Sequence, residues 1–186
     1  QRLLINRSVQ AAVFESDVRH LLTEGLPYDR CQVGVVTRMP KAQGLDDLYA
    51  GSDEKMPDYV RTQIDVVSSD GTAVLNAADP QVAELARHCD GKVIFYANDE
   101  KTPRLAAHLA EGGRVAFWRD GQLVLSEGSR ESLVLSAKRP AVSRLLQDGR
   151  LNTDDMLVAA CVAWALDIST DLIRAGVKSF GQNTSH

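Results

Sequence analysis

Gly71-Thr-Ala-Val-Leu-Asn-Ala-Ala-Asp-Pro80 is the stretch on which the fold turns. Asp70-Gly71 reads as a turn. Thr72–Leu75 is short, apolar and β-branched, as a central strand must be. Asn76 and Asp79 stand where that strand would stop. Pro80 can open a helix over Gln81–His88, because the first helical position needs no N–H. In an open parallel α/β sheet, ligands sit just outside the carboxyl ends of strands. Asn76 and Asp79 are therefore candidate binding residues. They are equally ordinary turn and cap residues, because short polar side chains before proline bond the nearby backbone. Spacing alone leaves both readings open.

The totals narrow the class. A chain of 186 residues is long enough for one domain with a real core. Its 44% apolar and 25% charged residues fit a soluble domain with a packed interior. A formal charge of −4 argues against a nucleic-acid binder that relies on a basic face. No apolar run reaches the length of a bilayer span. The start, Gln1-Arg-Leu-Leu-Ile-Asn-Arg7, shows no signal-peptide pattern, and its missing Met suggests a piece trimmed from something longer. Cys31, Cys89 and Cys161 form no Cys-x-x-Cys and no zinc spacing. They are expected as packed free thiols in a protein of the reducing cytoplasm.

Outward from the opening stretch, the chain reads as α/β, then a meander, then helices. Arg2–Val9 resembles the tail of a helix, and Ala11–Phe14 a short strand ending in Glu15. Cys31–Thr37 is a nearly continuous apolar strand. Arg38–Pro57 is polar and rich in Gly, Pro and Asp, so a long, partly mobile loop is expected. Asp58–Val67 has helical period. Lys92–Tyr96 is a strand, and Arg104–Glu111 a helix stopped by Gly112-Gly113. Arg114–Arg119 and Gln122–Ser126 flank Asp120-Gly121, a strong hairpin signal, and Glu131–Leu135 adds a third antiparallel strand. Met156–Leu166 is a long apolar helix with Asn152, Asp154 and Asp155 near its start. Thr170–Ser179 is the last helix. His20, His88 and His108 share no catalytic spacing and are expected to be structural or superficial.

Several segments, taken in order, carry a resemblance. They are Gln10-Ala-Ala-Val-Phe-Glu15, Glu24-Gly-Leu-Pro-Tyr-Asp-Arg-Cys-Gln-Val-Gly-Val-Val-Thr37 and Asp70-Gly-Thr-Ala-Val-Leu-Asn-Ala-Ala-Asp-Pro80. Further on come Gly91-Lys-Val-Ile-Phe-Tyr-Ala, Ala106-Ala-His-Leu-Ala-Glu-Gly-Gly-Arg, Arg119-Asp-Gly and Ala163-Trp-Ala-Leu166. The chain resembles the Mur-ligase-like region of the cyanophycin synthetase family over nearly its whole length. The resemblance implies a Mur-ligase central domain: a mainly parallel α/β sheet flanked by helices, with a small antiparallel β-meander at about residues 114–136. Residues 1–186 would form a single, partial central domain, lacking the phosphate-binding loop and the C-terminal Mur domain. The implied activity is ATP-dependent amide ligation in arginine/aspartate polymer synthesis, with ATP and Mg²⁺ as cofactors. The implied partners are a neighbouring ATP-grasp-type ligase domain or the protein's own subunits, as a homo-oligomer, with a peptide or polymer substrate.

The resemblance also says where ligands would sit, and there the chain departs from it. Phosphoryl transfer needs a phosphate cradle, metal ligands and a cation near the transferred group. No Gly-x-x-x-x-Gly-Lys-Ser/Thr loop occurs; in the family it lies upstream of the matching segment. Glu15 matches a Mg²⁺-associated glutamate. The Ala-Arg-Gly-Gly-like turn expected after it is Asp17-Val-Arg-His20 instead. A family Asp-His pair after the second strand is missing, with Gln43 nearest its place, and a family lysine is replaced by Val60 beside Arg61. Asp155 stands where an adenine-contacting Asn is expected; a carboxylate cannot donate as an amide does. Asn76 and Asp79 match a segment beside the nucleotide. Scaffold residues are kept while catalytic ones are replaced. The expectation is a pseudoenzyme, a structural domain without catalytic residues of its own. The alternatives are an excised piece of an active ligase, or a small-molecule binding domain.

Overall fold

The computed structural model describes residues 7–48, 51–149 and 151–183. Its centre is one six-stranded sheet with the strands side by side in chain order: β1 (Cys31–Val36), β2 (Val67–Asn76), β3 (Lys92–Ala97), β4 (Arg114–Arg119), β5 (Gln122–Glu127) and β6 (Arg130–Ser136). β1 to β4 are parallel, and β4 to β6 antiparallel. The meander thus continues the main sheet instead of forming a separate one. Asp120 and Gly121 link β4 to β5 with φ of 52° and 75°. Two positive φ values in a two-residue link are what a tight hairpin needs to match strand twist.

The helices are α1 (Val18–Thr23), α2 (Met56–Val60), α3 (Thr62–Asp65), α4 (Pro80–Glu84), α5 (Pro103–Ala110), α6 (Pro140–Gln147), α7 (Thr153–Ala165) and α8 (Thr170–Asn183). Alternating strand residues serve two cores. Ala73, Leu75 and Phe95 face α3, α4 and α5 through Ile64, Val82 and Leu105. Val74, Ile94 and Tyr96 face α6, α7 and α8 through Val142, Leu157 and Ile173. Each fully buried Val, Leu, Ile or Phe is worth about 1.5–3 kcal/mol over its exposed state. The ion pairs are exposed and worth little by comparison. The two cores therefore hold the fold.

Several sequence expectations need correction. Ala11–Phe14 forms no strand; the segment is irregular and Val13 is 93% exposed. A short apolar run becomes a strand only when a neighbour supplies its ladder, and none does among the described residues. Glu15 therefore ends no strand. Of Arg2–Val9, residues 2–6 lie outside the described residues, and Arg7-Ser8 is a turn. Asp70-Gly71 lies within β2 instead of preceding it: Cys31 pairs with Val67 and Val33 with Thr72, so residues 68–71 bulge opposite Gln32. A Cβ on Gly71 would lie 2.7 Å from the Gln32 carbonyl oxygen, and this close approach is why glycine stands there.

Helical period over 58–67 resolves into α2 and α3, and Val67 opens β2. The stretch read as a long, partly mobile loop at 38–57 packs through its described residues. It carries short 3-10 turns at Asp46–Leu48 and Asp53–Lys55, and buries Leu45 and Met56 against Val18, Leu22 and Tyr59. Sequence reading overlooked α6. At the far side of the sheet, the outer edge of β1 pairs with no strand among the described residues.

Candidate functional site

Four parallel strands put their carboxyl ends on one edge of the sheet, where the sequence places its candidates. Asn76 ends β2. Its amide nitrogen donates to the Thr37 carbonyl at 2.9 Å, and its amide oxygen accepts from the Ala78 N–H at 2.9 Å. Asp79 caps α4. One carboxylate oxygen accepts from the N–H groups of Gln81 at 3.0 Å and Val82 at 3.3 Å. The other accepts from the Met39 N–H at 2.9 Å. Together they stitch the turn after β2 to the chain leaving β1. Each side chain serves the protein's own backbone.

The chain leaving β1 is tied down further along. Asp53 accepts from the Ala42 N–H at 2.7 Å and pairs with Lys41 at 3.4 Å. The Ala42 N–H, and then Lys41, hold the Asp53 carboxyl below the usual carboxylate range. Arg19 of α1 pairs with Asp47 at 2.8 Å and donates to the Gly44 carbonyl. The Arg19 hydrogen bond likewise lowers the Asp47 carboxyl.

Asp155 belongs to another cap. Asn152 accepts from the Asp155 N–H at 2.7 Å, fixing the start of α7. Asp154 accepts from the Asn98 amide at 2.7 Å, and the Trp118 indole donates to the Thr153 carbonyl at 3.2 Å. Acidic side chains in a first turn suit the positive end of the helix dipole. The Asp155 carboxylate itself is exposed. Glu15 is exposed on its irregular segment and has no partner among the described residues. So Asn76 and Asp79 share one turn, and no hydrogen bond or ion pair joins them to Asp155 or Glu15 among the described residues. Also among these residues, no group of three or more His, Cys, Asp or Glu is placed to hold a metal ion.

Sequence reading missed Asn98, and placed Asp154 and Tyr96 on their elements without giving either a role. Asn98-Asp99 follows β3 as Asn76 follows its own apolar run, so the same polar strand-end signal could have found Asn98. Tyr96 lies opposite Asn76 in the sheet, fully buried, with its hydroxyl unpartnered among the described residues. Burial first, then the nearby Asp154 carboxylate, push its phenol pKa far up. His108 is structural: its Nε2 meets the Val93 carbonyl oxygen at 3.1 Å, and its ring stands edge-on to Phe95 at 4.9 Å.

No family model matches the chain. The cyanophycin synthetase of Geminocystis herdmanii is 31% identical to it over 180 residues, 96% of this chain and 20% of that protein. The chain is homologous to a segment of cyanophycin synthetase. The cyanophycin synthetases of a Synechocystis species and of Crocosphaera subtropica are each 29% identical over 181 residues, again 96% of this chain and 20% of theirs. It spans about a fifth of the length of the curated relatives it matches. The architecture, a mostly parallel sheet flanked by helices, is that of a Mur-ligase-like central α/β domain. No helix among the described residues is long and apolar enough to cross a membrane.

The strand-end and α7 residues that the resemblance would place beside the nucleotide are engaged or negatively charged here. A polyphosphate calls for N–H donors and cations. Asp79 already accepts from three backbone N–H groups, Asn76 donates to Thr37, and Asp154 and Asp155 add negative charge at the α7 terminus.

Proposed function

We propose that residues 1–186 act as one Mur-ligase-like central domain of a cyanophycin synthetase-like ligase, kept as architecture and without ligase chemistry of its own. ATP-dependent amide formation then falls to a neighbouring ATP-grasp-type ligase domain, and this sheet supports that domain or the assembly of subunits. One observation carries the reading. The polar groups at the end of β2 are spent on the protein's own backbone. Freeing Asp79 for a ligand would uncap α4 and release Met39, and a buried or half-buried donor left unpaired costs about 1–3 kcal/mol. A site kept for catalysis would hold its carboxylate ready for a substrate or metal.

Titration calorimetry with Mg-ATP, on the chain joined to its native flanking sequence, tests this. The expected result is no saturable heat assignable to this domain, and Asn76→Ala leaves any signal from the neighbouring domain unchanged. Micromolar binding abolished by Asn76→Ala, in a variant that still folds, overturns the reading. Glu15→Ala is expected to leave product formation within about twofold of wild type, since an exposed side chain without a partner among the described residues changes little.

A further inference from the structure

A basin opens beside β6, the strand at the far side of the sheet from β1. It encloses about 370 Å³ between β6 and the helices α6 and α8, with Gln122, Ser136, Arg139 and Arg174 around an apolar wall of Leu133 to Leu135. The overall charge of −4 makes two arginines in one concavity notable for what they attract. Their states differ. Arg174 is already engaged: its guanidinium donates to the Asp171 carboxylate and to the Leu133 carbonyl. The guanidinium of Arg139, the residue just before α6, has no partner among the described residues. The N–H groups at the start of α6, an eight-residue helix, add positive potential on the same side.

We propose that this basin is a binding site for a small aliphatic carboxylate. A planar guanidinium matches a carboxylate edge to edge with two parallel N–H donors, so Arg139 supplies the primary contact. Gln122 and Ser136 offer neutral polar groups beside it. The half-exposed Leu133 takes the carbon skeleton, with Val134 and Leu135 buried behind it. The exposed Leu133 side chain favours an organic acid over inorganic phosphate, which has no carbon to place on it. Asp171 already shows the chemistry, as an intrachain carboxylate seated on Arg174, with 86% of its side chain exposed and so cheaply displaced. The site is separate from the strand-end residues, so its fate is independent of the ligase reading.

The test is a ¹H–¹⁵N NMR titration of the 186-residue chain with N-acetyl-leucine, and with N-acetyl-leucine amide and inorganic phosphate in parallel. Saturable shifts confined to Gln122, Ser136, Arg139 and Arg174 are expected with the acid at millimolar concentration. The amide should give none, and phosphate at least fivefold weaker ones. Arg139→Ala should weaken the acid tenfold or more while the rest of the spectrum stays in place. Asp171→Asn removes the internal competitor and should tighten binding several-fold. Three results overturn the proposal: no saturable shift with the acid, equal shifts with the amide, or undiminished binding in Arg139→Ala. Phosphate binding as tight as the acid rejects the organic-acid assignment. Weaker binding in Asp171→Asn also counts against it, because Asp171 would then be supporting the site.

Discussion

The end of β2 and the basin beside β6 are both polar places on the same sheet, and they differ in where their hydrogen bonds go. At the end of β2, Asn76 and Asp79 make five bonds, all to the protein's own backbone. Beside β6, Arg139 makes none with its side chain among the described residues. Residue type would rank them the other way, since an Asn and an Asp at a strand end are the usual hint of a ligand. Polar groups already paired give a ligand little to gain, because each new bond must first replace an old one. What separates an architectural polar cluster from an available one is therefore the hydrogen-bond account.

Mutations can break that contrast, beginning with the largest expected effect. Asp79→Ala removes the α4 cap, worth about 1 kcal/mol, and orphans the Met39 N–H at about 1–3 kcal/mol. A combined loss of about 3 kcal/mol in urea unfolding is expected; a loss under about 1 kcal/mol would mean the strand end is not closed as described. Asn76→Ala should cost less, about 1–2 kcal/mol, because its two bonds leave partners nearer to solvent. Tyr96→Phe works in the opposite direction. Deleting a buried hydroxyl without a partner should raise stability by about 1 kcal/mol, and a fall in the unfolding midpoint would show that the hydroxyl is satisfied after all.

Arg139→Ala should stay within about 0.5 kcal/mol of wild type in the same assay, as an exposed group without partners should. That difference between Arg139 and Asp79 is the comparison in its sharpest form. The smallest effect concerns pH. Asp47 and Asp53 are held below the usual carboxylate range, by Arg19 and by the Ala42 N–H respectively. Their contribution is complete above the unfolded carboxylate value of about 3.9 and is lost as pH falls through the lower folded values. Both are exposed, so the effect is slight. An Asp53→Asn variant should be marginally less stable than wild type at pH 6, with the gap closing as pH approaches 2.

The parallel strands were legible because Cys31–Val36, Thr72–Leu75 and Lys92–Tyr96 are apolar runs with few alternative uses. The meander was legible because Asp120-Gly121 satisfies a turn that few dipeptides can. What escaped the sequence depended on neighbours. Asp70-Gly71 looks like a turn but belongs to a bulge within β2, since only the Gln32 carbonyl opposite reveals why the glycine is needed. Ala11–Phe14 looks like a strand and finds no ladder. The α6 helix carried just one clear mark, Pro140 at its first position. At the site, the residue types were readable but their bonds were not: nothing local says that Asp79 reaches back to Met39, or that Arg139 and Arg174 meet at one concavity.

The outer edge of β1, unpaired among the described residues, bears on how the molecule behaves in a test tube. On the other side of the sheet, α8 packs on β6 and Arg174 claims the Leu133 carbonyl. Among the described residues, the β1 edge is thus the more open of the two to one more strand. Its core sequence Val33-Gly-Val-Val36 carries no charge to repel an incoming chain. At high concentration, this is where intermolecular pairing should begin, and a lysine in place of the exposed Gln32 is the economical way to keep the preparation clear.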